Sequence, residues 1–505
     1  MMQYDHLPIL EGRLHPVTVV FAIYNSIRNL IIPAVSLLLI ESRTVTITLV
    51  LLMVTGVIAR ALVRYFTFSY RIEGGELITR QGILERRERH IPLERVQEIR
   101  LEQGVLHRIF GVVDASIETA GGQGPEASLS VLSHSEAERL RQAVFARMPS
   151  RTIDAARGLD APQAAVQRVV LRRLRLHDLI LHGLTSNVLL SALAFVGALW
   201  AFVDDILPGN FYERVADAIY RETHRLLKQG AQTALFVAML SILLLLLASL
   251  LLSIIGSIVR FYGFTLSQIG EDLHRSYGLL TQRSSSLPRR RIQVLEIREG
   301  ALRRLLRLAA LRVDTAGDRS SDPKQKNEGR DVLLPIALRK GIDDLLPVIF
   351  PDIEPAPVSW RRASRLAILR GAIKGGLVCA MAAAAVSWHQ QGLFWLWMLL
   401  LLPLIYIINV MRYNNLGYTL GERYFRTRRG WLGRSTHIVP IRNAQAIVAE
   451  QSPLDRRLGL ATLIVDTAGQ TYTGGGPKIS NLPLEEAQSL ARTLAHRAAA
   501  TRYRW

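Results

Sequence analysis

Three stretches of this chain carry one pattern in one register with no gap, so a single supersecondary unit must be folded three times. Aligning Arg64, Arg260 and Arg412 brings Gly82-Ile83-Leu84 onto Gly278-Leu279-Leu280 and Gly430-Trp431-Leu432. Pro92, Pro288 and Pro440 then coincide, as do Gln97, Gln293 and Gln445, and further on Arg108, Arg304 and Arg456. The register holds to Thr119-Ala120-Gly121, Thr315-Ala316-Gly317 and Thr467-Ala468-Gly469.

Each copy is preceded by a pair of long apolar stretches. A helix needs ~20 apolar residues to cross the hydrocarbon layer, and residues 17–40, 44–63, 179–203, 231–259, 371–388 and 393–411 are candidates. Residues 41–43 and 389–392 are connections short enough to force antiparallel hairpins. The middle pair carries the insert 204–230, in which Phe211, Val215, Ile219 and Leu226 roughly follow a helical period.

Charge sets the orientation. The chain has 62 Lys+Arg against 42 Asp+Glu, a formal net charge of +20. Basic balance suits nucleic-acid binding or the cytoplasmic loops of a membrane protein. Six apolar spans decide for the second. Arg168, Arg172, Arg173 and Arg175 precede the third span, and Arg361, Arg362, Arg365 and Arg370 precede or enter the fifth. The positive-inside rule therefore expects both termini and all three repeats in the cytoplasm. Residues 1–16 show no secretory signal pattern. The single cysteine, Cys379, allows neither an intramolecular disulfide nor a Cys-based metal site.

Within a copy the pattern is β-rich. Residues 66–70 and 76–79 flank Gly74-Gly75, a hairpin signal. Residues 91–101 and 112–119 predict further strands, and 104–111 a helical turn. An amphipathic helix closes each copy, carrying Leu140, Val144 and Phe145 in the first and Leu484, Leu490, Leu494 and Ala495 in the third. The expected fold class is an α+β membrane protein. Six transmembrane helices in three hairpins each lead into a small, partly open barrel of about seven strands capped by a C-terminal helix. The division is hairpin 1–63, barrel 64–150, basic linker 151–178, hairpin 179–259 with its extracytoplasmic insert 204–230, barrel 260–351, Pro/Arg linker 352–370, hairpin 371–411 and barrel 412–505.

The run Ile91 to Gln97, and that through Gly104, Leu106, Arg108 and Gly111 to Thr119-Ala120-Gly121, resemble the bacterial PH-like domain membrane proteins of the YdbS/YdbT type. The third copy matches in Val439-Pro440, Gln445, Leu454, Arg456, Gly459-Leu460 and residues 466–469. The second departs at Arg307, where the others have Gly111 and Gly459, and carries a longer charged loop, 318–330. The third has Ser452 in place of Gly104 and Gly300. The resemblance implies a PH-like barrel on a bacterial inner (plasma) membrane, crossed several times. It implies no reaction.

Candidate sites are of three kinds. The basic clusters Arg86, Arg87, Arg89; Arg289, Arg290, Arg291; and Arg426, Arg428, Arg429 fall between the second and fourth strands, on surfaces expected to be comparable. They are either a solvated face or a contact with a partner or anionic lipid, worth ~1 kcal/mol per basic residue near the surface. Asn25, Arg28 and Asn29 share one helical face inside the first span. Arg28 either snorkels or lines an intramembrane polar site. Gln97, Gln293, Gln445, Thr119, Thr315 and Thr467 are the repeat signature, expected to be structural. Carboxylates in the Glu73–Glu76, Gly270–Asp272 and Gly421–Arg423 loops disfavour phosphoinositide capture there.

No catalytic residues, cofactor, metal or nucleic-acid partner are expected, because no ligand spacing, nucleophile elbow or phosphate loop is present. The expected partners are membrane lipids and either a protein or a second copy. The function expected is that of a non-enzymatic scaffold. The alternative is a lipid or small-molecule transport or membrane-homeostasis component that uses the intramembrane polar residues.

Overall fold

A computed structural model describes residues 10–23, 43–82, 86–93, 96–119, 127–133, 135–137, 139–140, 168–186, 217, 221–222, 225, 230–315, 332–354, 359–389, 400–468 and 476–500. Three of its helices are long and apolar enough to cross a membrane: Thr44–Thr67, Leu235–Phe261 and Leu366–Ala385. Leu52 is 69% exposed and Met239 69%, a surface that is stable only against lipid. Most of the first span, the third beyond residue 186, the sixth before residue 400 and nearly all of the insert 204–230 lie outside the described residues. So do Asn25, Arg28 and Asn29.

The first repeat begins with β1 (Leu10–Arg13). After α1 (Arg43–Thr67) come β2 (Ser69–Glu73), β3 (Glu76–Gln81), β4 (Arg87–Pro92), β5 (Val96–Gln103), α2 (Val105–Ile109), β6 (Val112–Thr119) and β7 (Ala127–Ser133). The second has β8 (Arg168–Arg173), α3 (Leu176–Leu184), α4 (Ala231–Phe261), β9 (Thr265–Ile269), β10 (Asp272–Tyr277), β11 (Gln282–Pro288), β12 (Ile292–Glu299), α5 (Ala301–Leu305), β13 (Leu308–Thr315), β14 (Val332–Leu338) and α6 (Arg339–Ile349). The third has β15 (Arg361–Arg362), α7 (Leu366–His389), α8 (Leu401–Asn414), β16 (Gly417–Leu420), β17 (Tyr424–Arg429), β18 (Arg434–Pro440), β19 (Ala444–Glu450), α9 (Pro453–Arg457), β20 (Leu460–Thr467), β21 (Lys478–Pro483) and α10 (Leu484–Ala500).

Each repeat therefore opens with a strand that precedes its apolar helices. β1, β8 and β15 pair antiparallel with β2, β9 and β16, the strands that follow them. The segments 151–178 and 352–370, expected as linkers, hold two of these strands. The apolar helices are thus inserted between neighbouring strands of one sheet, and the barrel is tied to them at both ends. In the second and third repeats the paired helices touch through small residues. A Cβ on Gly183 would lie 2.5 Å from Ile254 Cα, and one on Gly371 would strike the Asn409 side chain. Ser253 and Ser257 donate to the Gly183 and Leu179 carbonyls at 2.9 and 2.8 Å. Small and hydroxyl residues are what close helix packing in lipid requires.

The sheets do not respect the repeats. One seven-stranded sheet runs β7-β6-β5-β11-β10-β9-β8, and another β14-β13-β12-β18-β17-β16-β15. The second half of each barrel is continuous, strand to strand, with the first half of the next. The cores are chiefly local to one repeat. Leu77, Ile99 and Ile117 centre the first, Phe264, Leu295 and Ile342 the second, and Tyr418, Val439 and Leu494 the third.

The repeat signature now has a backbone position. The pairing of β5 with β6, β12 with β13 and β19 with β20 slips by one residue between Val96 and Glu98, Ile292 and Val294, and Ala444 and Ala446. The residue taken up by each bulge is Gln97, Gln293 or Gln445, directly after the position opposite Thr119, Thr315 or Thr467. Arg307 holds the left-handed backbone (φ 56°) that Gly111 (65°) and Gly459 (64°) hold elsewhere, so the second copy departs in residue and not in shape. Ser452 in turn caps α9, accepting from the Asp455 amide.

Candidate functional site

In the second and third repeats the apolar tip of the barrel faces its long helix. Gly278 N–H donates to the Tyr262 carbonyl at 2.8 Å, and Leu279 N–H to the Val259 carbonyl at 3.0 Å, so the β10–β11 loop satisfies the end of α4. Asn415, just past α8, donates to the Trp431 carbonyl at 2.7 Å. Leu280 and Leu432 beside these contacts stay exposed at 53% and 43%. In these two repeats the Gly-x-Leu landmark is therefore a loop tip of apolar side chains held level with the end of an apolar helix, where a bilayer interface would cover it. Ile83 and Leu84 of the first lie outside the described residues.

Between the second and third repeats, at this same level, lies a cavity of about 1680 Å³. Its apolar half is made by α7 and α8, with Val378, Ala382, Leu401 and Ile405. Its polar half is formed by the ends of β12 and β17, by β13, α5 and the last turn of α3. Among the described residues lining it, eight are Arg or Lys (Arg298, Arg303, Arg312, Arg370, Lys374, Arg412, Arg429, Arg434) and Glu299 is the only acid.

At least two of these cations are neutralised. Arg434 pairs with Glu299, and Arg370 with Asp455 of α9. Burial works to raise the Asp455 carboxyl, but hydrogen bonds from Arg370 and Ser452 hold it below the usual carboxylate range. Arg303 is different. It donates to Thr185 Oγ1 at 3.1 Å and the Pro335 carbonyl at 3.4 Å, both neutral. Burial, with Arg312 and Arg298 adding repulsion, lowers its pKa to about 10. Like charges are thus gathered around a half-buried guanidinium, an arrangement that an anion relieves.

The clusters expected from sequence fall on three different parts of the fold, not on comparable surfaces. Arg86 precedes β4, and Arg87 and Arg89 lie on that outer strand of the first sheet. Arg289, Arg290 and Arg291 form the turn between β11 and β12. There Arg290 pairs with Glu271 at 2.6 Å, Arg289 donates to the Val348 carbonyl at 2.6 Å, and burial lowers Arg291 to about 10. Arg426, Arg428 and Arg429 are on β17. Arg426 donates to the Glu354 carbonyl at 3.2 Å, Arg428 lies 4.7 Å above the Trp360 ring, and Arg429 alone of the nine lines the cavity. The Gln and Thr of the signature stand away from the cavity, at the bulges. Arg298, Arg303 and Arg312 gave no sequence signal, because each comes singly from its own element.

The bacterial PH domain profile matches residues 27–148, 224–345 and 369–498, once per repeat. This chain belongs to the bacterial PH domain family. It is also 26% identical over 480 residues, covering 91% of this chain and 93% of the other, to the transmembrane protein YdbT of Bacillus subtilis (strain 168). No solved structure matches. Repeated bacterial PH domains on apolar helices make this a membrane protein. Among the described residues no group of three or more His, Cys, Asp or Glu is placed to hold a metal ion.

Proposed function

We propose that this protein is a non-enzymatic scaffold of the bacterial inner membrane that holds the headgroup of an anionic lipid between its second and third repeats. The repeats and both termini face the cytoplasm. The observation that carries this reading is Arg303, a half-buried cation beside Arg312 and Arg298 in a cavity whose other half is apolar. An anionic lipid satisfies both halves at once, with phosphate toward the arginines and acyl chain along α7 and α8. Arg429 extends the basic wall, while the other residues of the sequence clusters bind within the fold or lie elsewhere.

The scaffold part rests on the shared sheets. Ladders that cross from one repeat to the next fix the barrels to each other, so whatever seats the hairpins in the bilayer also sets the angle of the cytoplasmic platform. The test is lipid analysis of protein extracted in polymer discs from native membranes. Anionic phospholipid should be enriched over the surrounding membrane, and the enrichment should fall in Arg303→Gln with Arg312→Gln. Equal composition in disc and membrane would count against the proposal.

A further inference from the structure

The sheet order leaves two strand edges that correspond to edges used elsewhere in the same chain. β5 is covered by β11, and β12 by β18. β19 is the third strand of that first type, and among the described residues it pairs only with β20. β4 is the third strand of the second type, and among the described residues it pairs only with β3. They stand at opposite ends of the series of barrels, in two separate sheets.

The consequences for burial are visible. In β12, Gln293 is 7% exposed and Ile297 fully buried. Their repeat counterparts in β19, Gln445 and Ala449, are exposed. β18 is mostly buried, whereas Arg87 to His90 of β4 are all exposed. β19 bears one charge, Glu450, along seven residues. A mostly uncharged open edge of that length is a template for strand addition.

We infer that the open edge of β19 takes the open edge of β4 from a second copy of this chain, repeating the internal junction between molecules. The register is fixed, because both internal junctions have the same one. Gln103 faces Gln282, Glu102 faces Arg283 and Leu101 faces Ser284 in the first. Their repeat counterparts face each other in the second: Glu299 and Arg434, Arg298 and Ser435, Ile297 and Thr436. Carried forward by one repeat, the intermolecular pairs are Gln451 with Arg86, Glu450 with Arg87, and Ala449 with Glu88. The Glu450–Arg87 pair falls where Glu102 and Arg283 make an ion pair of 3.4 Å in the first junction, and it would replace contacts that both side chains make within their own copy. The charged row on β4 disfavours promiscuous pairing and leaves the edge for a matching strand.

The contact is heterologous, so copies add head to tail. Every repeat is tied to helices in one bilayer, which restricts successive rotations to an axis along the membrane normal. The assembly is then an arc or a ring within the membrane plane and not a helical filament.

The test uses two full-length chains, both Cys379→Ser, co-expressed and treated in native membranes with a short bismaleimide. One carries Ala449→Cys and the other Glu88→Cys, both at exposed positions. The expected result is a covalent dimer of the two tagged chains, absent when Glu88→Cys is replaced by Glu73→Cys at the far turn of β2. Glu450→Arg or Arg87→Glu alone should reduce the yield, and the two together should restore it. No dimer, a dimer equally strong with Glu73→Cys, or crosslinking of Ala449→Cys to a different protein instead would overturn the inference. Normal membrane levels of the single-cysteine chains show that each folds.

Discussion

Arg434 of the third repeat forks onto Glu299 of the second, its Nε and Nη2 donating to the two carboxylate oxygens at 2.6 and 3.1 Å. Glu299 is 3% exposed, and the pair lines the basic cavity. The same place in the first junction holds Gln282 opposite Gln103. One junction therefore uses a charge pair where its relative uses two neutral amides.

Glu299→Ala should destabilise the junction by roughly 3 kcal/mol, because it leaves Arg434 part-buried among other cations. The double change Glu299→Gln with Arg434→Gln copies the first junction and should recover most of that loss. Thermal unfolding of the purified protein measures both. Equal melting points for the single and double variants would show that the pair is not what matters.

His437 on β18 predicts an acid transition. Burial lowers its pKa to about 4, although Glu296 acts to raise it, with Arg429 and Arg298 also adding to the depression. The folded protein keeps this ring neutral while the unfolded chain, with an ordinary pKa near 6.5, takes up the proton. Stability is then present above pH 6.5 and is lost as pH falls from about 6.5 toward 4, by up to ~1.4 kcal/mol per pH unit. In His437→Asn the slope of melting temperature against pH should flatten in that window. An unchanged slope contradicts the assignment.

Gly278 has φ 121°, and a Cβ there would come 2.0 Å from the Thr281 carbonyl oxygen. Gly430 has φ 139° and meets the Gly433 carbonyl oxygen at 2.1 Å. Alanine at either position should cost about 1–3 kcal/mol and detach the loop tip from the helix end above it. Circular-dichroism melting gives the cost directly.

The loop tips should lie in the bilayer interface. A fluorophore on Leu280→Cys, in a Cys379→Ser background, should be quenched by nitroxide-labelled lipid chains. One on Glu271→Cys, at the other end of β10, should not be. Equal quenching would mean that the barrels do not stand tip-down on the membrane.

Much of this fold was legible in the sequence, since the repeat from Arg64 onward and the apolar helices are local patterns. β1, β8 and β15 were not. They are two to six residues long, two of them basic (β8 and β15), and all find their partners only across a long apolar segment. The crossing of the ladders between repeats also left no local trace, because a strand edge looks the same whether its neighbour is near or far in sequence. The arginine clusters were misjudged for a simpler reason. In the repeat register Arg289 aligns with Leu93 and not with Arg86, so clusters that look alike along the chain occupy different strands. The cavity is assembled from single residues of distant elements, and its signal is the half-buried charge of Arg303 beside other arginines and not any motif.

The most direct measurement is native mass spectrometry of the purified protein with and without Arg303→Gln and Arg312→Gln. The wild type should carry an adduct with the mass of an anionic phospholipid, one per chain, and the double variant should lose it while keeping its fold. A wild-type protein free of such an adduct, or a double variant that retains it, would contradict the proposed lipid-holding role.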